Sequence, residues 1–384
     1  MSTVHWVGAG LASGPGIVSL ANKHQKIVVW DMTSDRADML KSHLNEGAAF
    51  SFSKLDLRDA SSVAVFKTAI APHDVVVSML PAALHVELAN IALERKAHLV
   101  TSSYVSPEMA VLDTRAKEVG VALVNEVGLD PGIDHLFAHL LVDAAKEAGV
   151  LGKGHAVEFV SYCGGVPAEE TDFTYKFAWT PYGVLTALKN QARLIDAGEE
   201  KIVAKAWEDV SELSIDNEVF EVYANRDSLP YVEEYGLEAE TNIKKFVRGT
   251  LRLQGWKKAW ANVFEQVDKA TPDDLKELSD RLWSEHAYGE AEEDRVVMYV
   301  ALSVTKDDGS VWEASLALDE KGSGWKTAMA ATVSKTVAEA VMFITKSAMT
   351  PGIHAAITCP NQCRIWLAGL QAGGIKVRAD NVNL

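Results

Sequence analysis

Cysteine is scarce: Cys163, Cys359 and Cys363 are the only three in 384 residues. Three thiols build no disulfide framework, and this usage suits a reducing compartment, the cytoplasm. Cys359-x-x-x-Cys363 has no second cysteine pair near it, so no metal site is expected. Positive charge is also short, with 37 Lys and Arg against 53 Asp and Glu and a net charge of −16. That balance excludes nonspecific nucleic-acid binding, which depends on cations neutralising phosphates, and docking on anionic membranes. Long apolar runs are missing. The longest, Val75–Leu84, is broken by Ser78 and Pro81 and is too short to span a bilayer. No Lys or Arg precedes Lys23, so no secretory leader is expected. What remains is 48% hydrophobic and 23% charged, enough apolar material for two or three folded domains.

The first third alternates strand-like and helix-like segments. Val4–Val7, Ile27–Trp30, Phe50–Leu57, Val75–Leu80, Leu99–Ser102 and Ala122–Asn125 read as strands. Leu11–Lys23, Asp35–Glu46, Leu84–Glu94 and Pro107–Val119 read as helices. This alternation predicts an α/β fold with a Rossmann-type doubly wound parallel sheet. After Gly128 strands dominate: Ala156–Ser161, Val219–Tyr223, Phe246–Gln254, Val296–Val304 and Val311–Leu318. The last two flank an Asp307-Asp308-Gly309 turn. An α+β substrate domain follows from this, with a small, charged helical insertion at 257–294 and a long apolar helix at Thr327–Lys346. The expected division is 1–128 completed by 350–384, then 129–256 with 295–349.

Gly8-Ala9-Gly10-Leu11-Ala12-Ser13 follows the first strand and opens a helix. Gly8 permits the tight turn, Gly10 lets a pyrophosphate approach the backbone, and Ser13 is small enough for helix–strand packing. Asp31 ends the second strand, roughly 20 residues on, where a carboxylate accepts from the adenosine ribose hydroxyls. Its negative charge opposes a 2′-phosphate, so NAD is expected; nearby Arg36 keeps NADP open. Met32, Asp56, Leu57, Ser78 and Met79, at other strand ends, complete the expected nucleotide contacts.

Further motifs are Thr101-Ser102-Ser103-Tyr104, Asn125-Glu126-Val127-Gly128-Leu129-Asp130-Pro131-Gly132-Ile133-Asp134-His135 and Ser161-Tyr162-Cys163-Gly164-Gly165-Val166-Pro167. Tyr175–Pro181, Asn225-Arg226-Asp227-Ser228 and Arg248-Gly249-Thr250-Leu251-Arg252 come next. In this order they closely resemble the saccharopine dehydrogenase family of the glutamate-forming type, from the glycine turn to about Trp256. Ala178, where the family usually has Ser, and the slightly longer segment after Asn242 depart from the pattern.

The resemblance implies oxidation of L-saccharopine with NAD(P)+ and water to L-glutamate and 2-aminoadipate 6-semialdehyde. It assigns Ser103, Tyr104 and Asp130 to the substrate, and Ser102 and Leu129 to the nicotinamide side. Arg226 and Arg252 fit as forks for substrate carboxylates, with Thr250 beside them and Arg248 ranked lower. A base must take the amine proton and later activate water. Asp130, Tyr104 and Cys163 are the leading catalytic candidates; His135, Asp134 and Lys176 also stand open. The resemblance leaves two alternatives: a relative acting on another secondary amine such as carboxynorspermidine, for which two arginine forks are more than needed, and a non-catalytic dinucleotide-binding relative. A homodimer is expected on the prevalence of symmetric dimers.

Overall fold

Runs of Val and Ile in the first third form short strands buried on both faces, as a parallel sheet covered by helices requires. The computed structural model describes residues 2–178, 180–289, 291–346 and 349–384; Trp179, within one of the motifs, lies outside the described residues. In chain order the strands are Thr3–Val7 (β1), Lys26–Asp31 (β2), Phe50–Lys54 (β3), Val75–Ser78 (β4), His98–Thr101 (β5), Ala122–Asn125 (β6), Ala156–Pro167 (β7) and Ala192–Asp196 (β8). Glu199–Val203 (β9), Ser211–Ile215 (β10), Glu218–Ala224 (β11), Ile243–Leu253 (β12), Glu293–Thr305 (β13), Val311–Ser323 (β14), Gly352–Ala355 (β15) and Val377–Asp380 (β16) follow.

One unit comprises Met1–Leu136, Ala330–Ile357 and Ile365–Ile375. Its sheet runs β15-β6-β5-β4-β1-β2-β3, all parallel, with the change of direction between β1 and β4. This is the doubly wound arrangement, and it places the ligand crevice at the C-terminal ends of those strands. The first helix begins at Gly14, later than expected, because the glycine turn runs on to Ser13, whose amide donates to the Gly10 carbonyl. The expected helix over Pro107–Val119 is two, Pro107–Ala110 and Asp113–Val119, each with its own start. On one side of the sheet Trp30 meets Phe66 edge-on at 4.9 Å within a cluster of buried residues.

Helix Ala328–Thr345 is long and apolar enough to cross a membrane, but 61% of it is buried inside the molecule. Its Ser334 Oγ accepts from the Gly16 amide at 2.8 Å. A Cβ on Gly16 would lie 2.3 Å from the Ser334 carbonyl, so glycine is what lets these two helices touch. The expected bounds placed most of this helix with the later strands, whereas contacts group it with the parallel sheet from Ala330.

The other unit comprises Phe137–Met329, Thr358–Arg364 and Lys376–Leu384. Its mixed sheet runs β10-β11-β12-β7-β13-β14-β16, with β8 and β9 attached through β12. The expected Asp307–Gly309 turn joins β13 to β14, with Gly309 at φ +78°. The helices between Trp256 and His286 are less a separate insertion than a wall of this unit: Trp256, Trp260 and Phe264 cluster with Tyr175, Phe177 and Tyr223. The tail was expected to rejoin the nucleotide-binding domain, and its residues to Ile357 and Ile365–Ile375 do group there, with β15 pairing to β6. The end departs from that expectation: β16 pairs with β14, because Val377–Asp380 alternates along the open sheet edge.

Candidate active site

In the parallel-sheet unit the nucleotide candidates occupy consecutive strand ends. Gly8, Gly10, Leu11, Ala12 and Ser13 follow β1. Asp31 and Met32 lie at β2, and Asp56 and Leu57 follow β3. Ser78 and Met79 lie at β4, Ser102 follows β5, and Leu129 follows β6. Gly8 has φ +94°, and a Cβ there would lie 2.8 Å from the Met79 carbonyl, so this position admits only glycine. A Cβ on Gly10 would have no heavy atom within 4 Å, which leaves its backbone open to a phosphate. Ser13, standing for the third glycine, closes the turn by donating to the Gly8 carbonyl at 2.8 Å. Asp31 accepts from the Ala9 amide at 2.7 Å and from the Met32 amide at 2.6 Å, so the carboxylate that faces the turn also shapes it. The turn, Asp31 and the helix beginning at Gly14 therefore fit a dinucleotide.

Arg58, unnoticed in the sequence, approaches Met32 Sδ at 3.7 Å. Its Nε and Nη2 grip Asp56 at 2.9 Å each, and this hydrogen-bonded guanidinium holds the Asp56 carboxyl down at about 2.

The substrate candidates of this unit adjoin Ser102. The Tyr104 hydroxyl donates to Asp130 Oδ1 at 3.2 Å, and both side chains are half-buried. Of the other base candidates, His135 Nε2 lies 2.9 Å from Glu126 Oε2, and Glu126 Oε1 accepts from the Val105 amide at 3.0 Å. Asp134 accepts from the Gly132 amide at 2.6 Å. These contacts give His135 and Asp134 the work of shaping the Gly128–Asp134 turn. Gly132, at φ +147°, lies so close to Gly128 that an added Cβ would fall 2.1 Å from its carbonyl.

His85, also missed, bridges Ser78 and Ser103, and its lone histidine at a helix start carries no motif. Burial pushes its imidazole down to about 4, and burial with nearby His73 does the same to His98. An unfolded chain takes up protons at these two sites near the ordinary 6.5 while the folded chain does not, so stability falls as pH drops through that range. The unfolding free energy, measured in urea, should fall by about 2 kcal/mol per histidine between pH 7 and pH 5. A flat profile over that interval would show that neither group is held neutral.

In the mixed-sheet unit, alternation along β12 puts Arg248, Thr250 and Arg252 on one face. Thr250 stands opposite Cys163 on β7 and Tyr223 on β11, so these three share that face; Leu251 and Tyr162 belong to the core on the other. Cys163 is a buried thiol that forms no disulfide. Arg226 is exposed, with φ +60°, in the turn after β11. The Arg248 guanidinium is 3.9 Å from the centre of the Tyr231 ring.

Arg252 is 7% exposed, and its guanidinium lies 4.9, 5.6 and 5.8 Å from the Tyr175, Tyr223 and Trp256 rings. Nη1 donates to the Leu251 carbonyl at 3.0 Å, Nε has no hydrogen-bond partner, and among the described residues no carboxylate pairs with it. A buried cation surrounded by ring faces and one backbone carbonyl, with no carboxylate of the described residues beside it, keeps the capacity to pair with an anion. Tyr223 lies on β11, Tyr175 in the segment after β7 and Trp256 at the start of the helix Trp256–Ala259, so packing of these segments in one core cluster brings the rings together. Lys176, by contrast, is paired with Glu292 at 2.6 Å.

Comparison with known proteins agrees with this layout. Residues 4–124 match the profile described as the saccharopine dehydrogenase NADP binding domain, and residues 128–375 match that of the saccharopine dehydrogenase C-terminal domain. The chain is 37% identical over 262 residues to saccharopine dehydrogenase (NADP(+), L-glutamate-forming) of Pyricularia oryzae, covering 66% of this chain and 55% of that protein. It is 35% identical over 266 residues to the protein of the same name from Schizosaccharomyces pombe, covering 67% and 56%. The match thus spans about half the length of these curated relatives. The apo structure of saccharopine dehydrogenase (L-Glu forming) from Saccharomyces cerevisiae superposes with a TM-score of 0.81 at 26% identity, over 99% of this chain and 100% of that one. The parallel-sheet unit is accordingly a pyridine-nucleotide-binding domain. With both profiles matched in order across its length, the chain belongs to the saccharopine dehydrogenase family.

Proposed function

We propose that the protein is an NAD-linked oxidoreductase of lysine metabolism that oxidises L-saccharopine, with water, to L-glutamate and 2-aminoadipate 6-semialdehyde. The observation that carries this reading is Arg252, a buried guanidinium with three aromatic rings around it and no carboxylate of the described residues paired with it. A tricarboxylate amine needs more than one such fork, which Arg252 and Arg226 together offer, and carboxynorspermidine, with fewer carboxylates, does not. The names of the relatives and their glutamate-forming activity point the same way.

In this reading Arg226 and Arg252 hold substrate carboxylates and Thr250 adds a hydroxyl. Asp130, hydrogen-bonded to Tyr104, accepts from the secondary amine and favours its protonated form before the reaction. Ser103 orients the substrate beside them. Bound nucleotide supplies the hydride acceptor. The substrate's carbon–nitrogen bond then becomes an imine, water adds to it, and the carbinolamine breaks to amine and aldehyde. Tyr104, Asp130 and Cys163 are the groups proposed to move protons in these steps, since His135, Asp134 and Lys176 are engaged elsewhere.

NAD rather than NADP is proposed although the curated relatives carry NADP(+) in their names. Asp31 supports it, as does the engagement of Arg58, the guanidinium beside Met32, by Asp56. A cytoplasmic homodimer is the proposed state, supported by three cysteines that form no disulfide and the prevalence of symmetric dimers. The deciding experiment gives purified protein saccharopine with NAD+ or NADP+. NADH absorbance at a rate well above that of NADPH is expected. Silence with saccharopine and turnover with carboxynorspermidine would replace the substrate.

A further inference from the structure

We propose that His85 is a positioning residue that ties the nucleotide side of the crevice to the amine side by orienting Ser78 and Ser103 at once. This rests on the reading above, in which the end of β4 meets the nucleotide and Ser103 the amine substrate. His85 opens the helix His85–Glu94 and is buried. Its Nδ1 lies 2.7 Å from Ser78 Oγ, at the end of β4. Its Nε2 lies 2.8 Å from Ser103 Oγ and 3.2 Å from Thr101 Oγ1, at the end of neighbouring β5. Both ring nitrogens are therefore used, and both hydroxyl partners stand at the strand ends where the crevice opens.

A neutral imidazole has one donor and one acceptor, so the role taken at one nitrogen dictates the role at the other. Burial keeps His85 neutral across ordinary pH. Nε2 has a single lone pair, and with Ser103, the nearer hydroxyl at 2.8 Å, donating to it, Nδ1–H donates to Ser78. In the opposite tautomer both directions reverse together, so the two serines are always set as a pair. Ser78 is fully buried and fixes the end of β4, where the Met79 carbonyl lies against Gly8 of the glycine turn, whereas Ser103 is only half-buried.

Two conservative variants separate this from a packing role. The amide of His85→Asn reaches the position of Nδ1 and keeps the Ser78 contact; that of His85→Gln reaches the position of Nε2 and keeps Ser103. The readouts are the Kd for NADH by fluorescence titration, which needs no turnover, and the KM for saccharopine. His85→Asn should raise the saccharopine KM about three- to ten-fold and leave NADH binding near that of the parent. His85→Gln should do the reverse by a similar factor. Variants that shift both readouts together, or neither, overturn the proposal even where the melting temperature falls. A parent protein that binds no NADH overturns the oxidoreductase reading and this inference with it. A parent that binds NADH but ignores saccharopine overturns only the substrate, and the NADH arm still decides the role of His85.

Discussion

Replacing Arg252 by leucine is expected to lower kcat/KM for saccharopine roughly a hundred- to a thousand-fold, chiefly through KM. The substrate carboxylate that the guanidinium would meet is left desolvated against Tyr175, Tyr223 and Trp256. The melting temperature should hold or rise, because the variant removes a 7% exposed cation that no carboxylate of the described residues offsets. Lysine at this position should recover only part of the loss, since an ammonium lacks the two-pronged geometry. Steady-state kinetics and a thermal melt on the same samples test both halves. A near-parental KM with a lowered melt would make Arg252 a scaffold residue and remove the main support for a polycarboxylate substrate.

The second large effect concerns the nucleotide. Asp31→Ser is expected to shift the NAD+/NADP+ ratio of kcat/KM toward NADP+ by roughly a hundred-fold, because two ribose hydroxyl acceptors are lost and a charge opposing the 2′-phosphate disappears. The Ala9 and Met32 amides still find an oxygen acceptor in serine, which limits damage to the turn. Competition between NAD+ and NADP+ in one assay measures the ratio directly. An unchanged ratio would show that Asp31 serves the turn alone and that selection lies elsewhere, with Arg58 as the next residue to change.

Much of the parallel-sheet unit was legible because its central strands β1, β4, β5 and β6 are buried on both faces and read as short apolar runs. The glycine turn and Asp31 stood out for the same local reason, that backbone and ligand demands fall on neighbouring residues. Strand β8 and the edge strands β9, β10, β15 and β16 did not stand out. They are short, and Glu199–Val203 and Ser211–Ile215 are mostly exposed, so tertiary pairing rather than pattern makes them strands. Gly352–Ala355 was hidden behind Pro351, which read as a helix stop. Arg252 was visible as part of a motif, but its aromatic surroundings depend on contacts between distant segments. His85 had no signature at all, since its meaning comes from two hydroxyls on adjacent strand ends.

Neither unit is a continuous stretch of chain. The parallel sheet takes β15 from Gly352–Ala355 and a further segment, Ile365–Ile375, while the mixed sheet takes β16 from Val377–Asp380. During synthesis on the ribosome, therefore, neither unit can finish folding when its own first strands emerge; each waits for segments from Gly352 onward. A stop codon shortly before Gly352 would strip an edge strand from both sheets at once. The proposed site residues, all encoded upstream of Gly352, thus depend on segments made after them, and a chain ended before those segments presents two open sheet edges.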